Sequence, residues 1–198
     1  MMKIAAIILA AGESRRMGEP KALARFGQQS FLEAIIASFQ SAGLEDLAVV
    51  LGHDASNVLG KVQHLPVQFV INKDYPSGQF SSFQTGLAAL PPIVDGAFLA
   101  LVDQPQIGSH IISVIKEAFL ANPQKIIIPT FNGRRGHPPI FPRSVFEEIV
   151  LAPDTETATK IVRSHPELIR EIQVASESVL WNINTKEELA EVRRRINL

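Results

Sequence analysis

The residues with the clearest chemical potential stand in one run, Leu9-Ala10-Ala11-Gly12-Glu13-Ser14-Arg15-Arg16-Met17-Gly18-Glu19-Pro20-Lys21. Small residues let the main chain approach a ligand closely, and successive backbone N–H groups can cradle anionic oxygens. Three cations, Arg15, Arg16 and Lys21, fall within seven residues of one another. That combination suits phosphate. Neither common nucleotide loop is present: for GxxxxGK the Gly12-to-Gly18 spacing is one residue too long and no lysine follows Gly18, and GxGxxG is absent. A flexible, solvated loop with scattered charges accounts for the same residue types.

Asp103 ends the apolar run of Leu101-Val102-Asp103-Gln104-Pro105. A carboxylate there is a hard oxygen ligand suited to Mg²⁺ carrying substrate phosphates. A helix N-cap is the competing role. Asn72 and the run Gly78-Gln79-Phe80-Ser81-Ser82-Phe83-Gln84-Thr85-Gly86 make a second polar, glycine-bounded loop. Its hydroxyls and helix start could meet a base, ribose or phosphate, or simply cap a helix. His137 follows Arg134 and Arg135, and reads more readily as a packed turn residue than as a catalyst. His53, His64, His110 and His165 have no metal-ligand spacing among them.

Other chemistries are excluded by composition. The chain has no cysteine, so it offers no disulfide, thiolate metal site or thiol nucleophile. No GxSxG elbow is present. A net charge of −1, with one tryptophan and eleven phenylalanines outside any basic stripe, gives no nucleic-acid surface. The longest apolar run, Ile4 to Ala11, has eight residues, far short of the roughly 20 that span a bilayer. Met1-Met2-Lys3 ahead of it imitates a minimal signal peptide, but the run reads better as a buried strand. A cytoplasmic protein without nucleic-acid or membrane partners is the expectation.

What must position these residues is a set of alternating strands and helices. The spacing predicts strands at Ile4–Leu9, Leu47–Leu51, Val67–Ile71, Ala97–Val102 and Lys125–Ile128, with late strands at Ile169–Val174 and Val179–Ile183. A helix starts at the Ser30/Glu33 capping box and runs through Phe39 to Gly43. Further helices are predicted at Ser81–Leu90, Ser109–Leu120, Phe146–Val150, Thr155–Ser164 and Lys186–Ile196. This is an α/β sandwich with a mostly parallel sheet, in one domain spanning 1–198. Ligands then sit beyond the carboxyl ends of the strands, where Gly12 and Asp103 stand.

Together these segments resemble the molybdenum-cofactor nucleotidyltransferases. The family pattern Leu-Ala-(Ala/Gly)-Gly-x-Ser-x-Arg-(Met/Phe)-Gly-x-x-Lys is matched by Leu9, Ala10, Ala11, Gly12, Ser14, Arg16, Met17, Gly18 and Lys21. Leu101 to Pro105, the Gly78/Ser81/Ser82/Gly86/Leu87 region and the closing Asn182, Asn184, Thr185, Glu187, Glu188 and Leu189 match further elements. The resemblance implies a GT-A type, Rossmann-related three-layer fold like that of nucleotide-diphospho-sugar transferases. It also implies Mg²⁺-dependent transfer of a nucleotide from a nucleoside triphosphate to the terminal phosphate of molybdopterin, with a molybdoenzyme or its chaperone as downstream partner.

By the same resemblance, Arg16, Lys21 and Asp103 are catalytic. Leu9, Ala10, Ala11, Gly12, Ser14, Gly18, Asn72, Gly78, Ser81 and Ser82 bind the nucleotide. Arg134, Arg135 and His137 face the second substrate. Asp103 with Asn184, or Asn182, holds the metal. Ala11 and Gly136-His137-Pro138 resemble the cytidylyltransferase, MocA-like branch, and Asn182-Ile183-Asn184-Thr185 the guanylyltransferase branch. Asp154-Thr155-Glu156-Thr157-Ala158 replaces the Gly-Asp-x-Gly-Ala-Arg of cytidylyl-like members. A sugar-phosphate nucleotidyltransferase and a non-catalytic cofactor carrier are the alternatives.

Overall fold

A computed structural model describes residues 2–153 and 155–198. The first half carries β1 (Ile4–Ala10), β2 (Arg25–Phe26), β3 (Gln29–Ser30), α1 (Phe31–Ser41), β4 (Asp46–Leu51), α2 (Ala55–Val62), β5 (Gln68–Ile71) and α3 (Gln79–Ala88). The second carries β6 (Gly96–Leu101), α4 (Ser109–Ala121), β7 (Ile126–Phe131), β8 (Arg134–Arg135), β9 (Ile140–Pro142), α5 (Phe146–Leu151), α6 (Ala158–Ser164), β10 (Ile169–Gln173) and α7 (Lys186–Arg195).

The main sheet runs β10-β7-β9-β6-β1-β4-β5, with β8 paired to β7. β4, β1 and β6 are parallel, and so are β4 with β5 and β7 with β10. β9 alone among the path strands runs against both its neighbours. Successive side chains of β1 enter opposite cores, as strand geometry requires. Ala6, Ile8 and Ala10 pack with α1, α2 and α4, whereas Ala5, Ile7 and Leu9 pack with α3, α5 and α6. Three layers result. This is why β1 and β6 read as continuous apolar runs: both of their faces are covered.

The capping box at the start of α1 is formed, with Ser30 Oγ accepting from Glu33 N–H at 3.2 Å and Glu33 Oε2 accepting from Ser30 N–H at 2.6 Å. Gly43, at φ +75°, follows the helix end. Thr157 caps α6 by accepting from Lys160 N–H, so this helix starts later than Thr155. Asp154, the first residue of the divergent loop, lies outside the described residues.

One expected strand is corrected. Val179–Ile183 forms no strand: Glu177–Leu180 is a 3₁₀ turn that Ser176 caps by accepting from Ser178 N–H. Val179 and Ile183 alternate because each is buried in a different cluster, not because the segment joins the sheet. Five elements escaped the periodicity. α2 is only eight residues with a glycine inside it, β2, β3 and β8 are two residues each, and β9 is three residues ending in proline.

A third, smaller cluster matters for the site. Met17 is 1% exposed and packs with Phe26, Phe31, Ile183, Leu189 and Val192. The loop after β1 is thereby anchored to α7.

Candidate active site

The strand registers bring the carboxyl ends of β1, β4 and β6 level: Ala10 lies beside Leu51, and Leu9 beside Leu101. Beyond this edge lies a cavity of about 690 Å³. It is lined by Leu9 to Arg16 and Gly18 to Lys21 of the loop after β1, and by Asp103, Asn184, Gly78 and Ser82.

The loop is held in shape from within. Ser14 sits at φ +53°, its carbonyl accepts from Met17 N–H at 2.9 Å, and its hydroxyl accepts from Lys21 N–H at 3.0 Å. Gly18 adopts φ +76°, a backbone region that glycine enters without the penalty of a Cβ. A Cβ added at Gly12 would meet nothing within 4 Å, so main chain there faces open space. Arg15 pairs with Glu13, whereas Arg16 is exposed and makes no ion pair among the described residues.

Lys21 reaches across the cavity. Its Nζ donates to Asp103 Oδ2 at 3.1 Å and to Asn184 Oδ1 at 2.8 Å. Asn184 is placed by the α7 capping box, in which Glu188 Oε2 accepts from both Asn184 N–H and Thr185 N–H. The segment before it is tied to the strand end: Ile183 N–H donates to the Asp103 carbonyl at 2.8 Å, and Gln104 Nε2 donates to Asn182 Oδ1 at 2.8 Å. The cap role considered for Asp103 is not taken, because α4 begins after Gly108 without a side-chain cap.

Asp103 Oδ1 is buried and has no hydrogen-bond partner. A buried, charged acceptor without a partner calls for a cation or a donor. A hard divalent ion fits this oxygen together with the Asn184 amide oxygen. No group of three or more His, Asp or Glu side chains able to hold a metal exists among the described residues. The protein thus supplies few ligands, and such an ion would take its remaining oxygens from the triphosphate and water.

Of the expected site residues, Leu9 to Gly12, Ser14, Arg16, Gly18, Lys21, Gly78, Ser82, Asp103 and Asn184 all line the cavity. Asn72 and Ser81 stand behind the wall. Asn72 is 4% exposed; its Nδ2 donates to Ser81 Oγ at 2.9 Å and Ser82 Oγ at 3.0 Å, and its Oδ1 accepts from Asp74 N–H at 2.9 Å. Their hydrogen bonding brace the loop that presents Gly78 and Ser82. Arg134, Arg135 and His137 also lie off the cavity wall. Arg135 Nε pairs with Glu171 Oε1 at 2.7 Å, leaving Arg134 exposed beside it. Burial pushes His137 below the ordinary histidine value, against the opposing charge of Asp103.

His53, Asp54 and Tyr75 line the cavity although the sequence reading assigned them no site role. The available signal was Gly52-His53-Asp54, which ends the strand β4 just as Gly12 and Asp103 follow β1 and β6.

A carboxyl-edge cavity that joins an open glycine loop, an arginine, a lysine and a carboxylate defines an α/β enzyme handling phosphorylated nucleotides. Comparison with known proteins agrees. Nicotine blue oxidoreductase of Paenarthrobacter nicotinovorans is 26% identical over 195 residues, covering 94% of each chain. A probable molybdenum cofactor guanylyltransferase of Bacillus cytotoxicus is 30% identical, covering 97% of each. The crystal structure of Rv0371c from Mycobacterium tuberculosis superposes with TM-score 0.84 at 27% identity over 98% of both chains. A manganese complex of Rv0371c superposes with TM-score 0.80 at 27% identity, over 96% of this chain and 98% of that one. The sequence profile of the MobA-like NTP transferase domain matches residues 6–169, and the chain belongs to that family. It is a nucleotidyltransferase. No helix among the described residues is long and apolar enough to cross a membrane.

Proposed function

We propose that this enzyme transfers CMP from CTP to the terminal phosphate of molybdopterin, releasing pyrophosphate, in the cytoplasm and with Mg²⁺. The observation that carries nucleotidyl transfer is the convergence of Gly12, Arg16, Lys21 and Asp103 on one cavity. The molybdopterin acceptor is supported by the motif and by relatives named as molybdenum cofactor guanylyltransferases. For the base, Ala11 and the Gly136-His137-Pro138 element favour CMP, since both resemble the cytidylyltransferase branch.

In the proposed reaction an acceptor phosphate oxygen attacks the α-phosphorus, and the bond to the pyrophosphate oxygen breaks. The protein must position two polyanions and offset charge on the departing group. Backbone N–H groups around Ala11 and Gly12 hold the triphosphate. Arg16, exposed and without an acidic partner, offers its planar fork to the leaving pyrophosphate. Lys21 exchanges its two protein acceptors for the α-phosphate. Asp103 and Asn184 would hold Mg²⁺, which when bound supplies positive charge to phosphate oxygens. Gly78 and Ser82 contact the nucleoside, braced by Asn72 and Ser81. On the acceptor side Arg134 supplies the cation, since burial disfavours the charged form of His137 and Arg135 is paired.

Thermal unfolding with Mg²⁺ and each of CTP, GTP, ATP and UTP tests the donor. A ligand at 100 times its dissociation constant stabilises by about 2.7 kcal/mol, or about 5–10 °C for a chain of this size. CTP alone should give that shift, followed by pyrophosphate release when molybdopterin is added. A shift with GTP alone reassigns the donor. No shift with any triphosphate overturns the phosphate-loop reading.

A further inference from the structure

Lys21 is a cation seated on the same acceptors that the proposed metal ion would use. Its Nζ donates to Asp103 Oδ2 at 3.1 Å and to Asn184 Oδ1 at 2.8 Å, and the Lys21 and Asp103 side chains are only 13% and 19% exposed. We propose that the Lys21 ammonium and a divalent cation are alternative occupants of this place. Lys21 keeps a free ion off Asp103 and Asn184, and gives them up only when a polyphosphate draws it away. This rests on the proposed nucleotidyl transfer and adds how the chain makes ion and triphosphate enter together.

The acceptors are anchored, and the cation is on a tether. Asn184 and Thr185 both donate their N–H groups to Glu188 Oε2, and Ile183 N–H donates to the Asp103 carbonyl at 2.8 Å. Gln104, 3% exposed, grips the same segment by donating to the Trp181 carbonyl at 3.1 Å and to Asn182 Oδ1 at 2.8 Å. The main chain of Lys21 is also pinned: its N–H donates to Ser14 Oγ at 3.0 Å and its carbonyl accepts from Ala24 N–H at 3.1 Å. Only its flexible four-carbon stem is left to move. Nor is the contact a finished ion pair, because the buried Asp103 Oδ1 has no partner beside the ammonium. A bridge that served stability alone is expected to satisfy both oxygens.

Charge makes the two occupants exclusive. With Lys21 in place, the carboxylate, the amide and the ammonium are together neutral, and an arriving divalent cation meets a like charge. With Lys21 turned onto a phosphate, the same two acceptors are an anion facing a polyanion, a setting in which a hard cation binds with few protein ligands. Of the other cations on the cavity lining, Arg15 is held by Glu13, and the exposed Arg16 makes no ion pair among the described residues. Arg16 therefore meets a polyphosphate first, and Lys21 is the group that must be taken from its partners. When pyrophosphate departs, Lys21 returns to Asp103 and Asn184 and again opposes a bound ion.

Binding of Mn²⁺ without nucleotide is measured by electron paramagnetic resonance on the full chain, on Lys21→Met, on Lys21→Arg and on Lys21→Met combined with Asp103→Asn. A unit charge beside a cation site near a protein surface changes affinity by about tenfold or more. Lys21→Met should therefore bind Mn²⁺ at least about tenfold tighter than the parent, whereas Lys21→Arg, which keeps the charge, should stay within about threefold of it. The double variant should lose the gain. Mn²⁺ alone should also raise the melting temperature of Lys21→Met and leave that of the parent unmoved. If Lys21→Met binds Mn²⁺ no tighter than the parent, or if the gain survives Asp103→Asn, the exchange is overturned. A second measurement does not depend on Lys21→Met folding: in the ¹³C-lysine-labelled parent, the Lys21 ε-methylene signal is identified as the one missing from Lys21→Arg. Mg²⁺ alone should leave that signal in place, and Mg²⁺ with inorganic tripolyphosphate should shift it. An equal shift with Mg²⁺ alone overturns the exchange. Tripolyphosphate binding that leaves the signal unmoved also overturns it, while the transfer reading stands. A parent that binds no tripolyphosphate removes both.

Discussion

A methyl group placed on Gly12 touches no protein atom within 4 Å, yet Gly12 lines the cavity where the proposed function places the triphosphate. Gly12→Ala should therefore unfold within about 1 kcal/mol of the parent, on the stable side if anything, because alanine restricts the unfolded chain. Calorimetric titration with Mg²⁺ and CTP should show binding at least about tenfold weaker, a loss of about 1.4 kcal/mol or more. At this scale the sequence was most legible where side chains follow a buried strand. Gly12, Lys21 and Asp103 could be read that way, and the cavity contains all three. Asn184 needed the family pattern, because the capping box that places it lies far along the chain from Lys21. His53 and Tyr75 were not legible: they meet across 22 positions, and only the missing Cβ of Gly52 allows them to pack beside Ala11.

Helix α3 lies directly on the sheet because Gly86 has no side chain to hold it off. A Cβ at that position would come within 2.4 Å of Ile7 Cγ2 and 3.1 Å of Val50 Cγ2. Gly86→Ala should cost roughly 1–3 kcal/mol by overpacking, even after the helix-propensity gain. A lowered urea midpoint with unchanged slope checks this. CTP affinity should fall with it, since α3 carries Ser82 into the cavity wall. The long elements were legible through their periods, β1 and β6 as double-faced strands and α1 through its capping box. β9 was not, because a three-residue strand has no period. Val179–Ile183 misled for the opposite reason: its apolar alternation serves two separate clusters around a 3₁₀ turn.

With a net charge of −1, the whole molecule carries little self-repulsion near neutrality, so its pH dependence rests on individual groups. His165 is one of them. Its Nε2 lies 2.7 Å from Glu148 Oε2 on α5 and its Nδ1 3.4 Å from Glu167 Oε1, and the hydrogen bond with Glu148 is the main cause that raises it above the ordinary 6.5. The folded state thus binds this proton more tightly than the unfolded chain does. The added stability is fully present below 6.5 and is lost as pH rises through the raised value. Melting temperatures of the parent and His165→Gln should accordingly differ more at about pH 6 than at about pH 9.

The small cluster around Met17 also fixes an order of events. The loop after β1 is made early, between residues 12 and 21, but the apolar seat of Met17 includes Ile183, Leu189 and Val192, and Lys21 meets its second acceptor only at Asn184. On the ribosome the loop must wait for the last helix to emerge before it can set. Until then a growing chain would hold a nearly complete sheet and no competent centre.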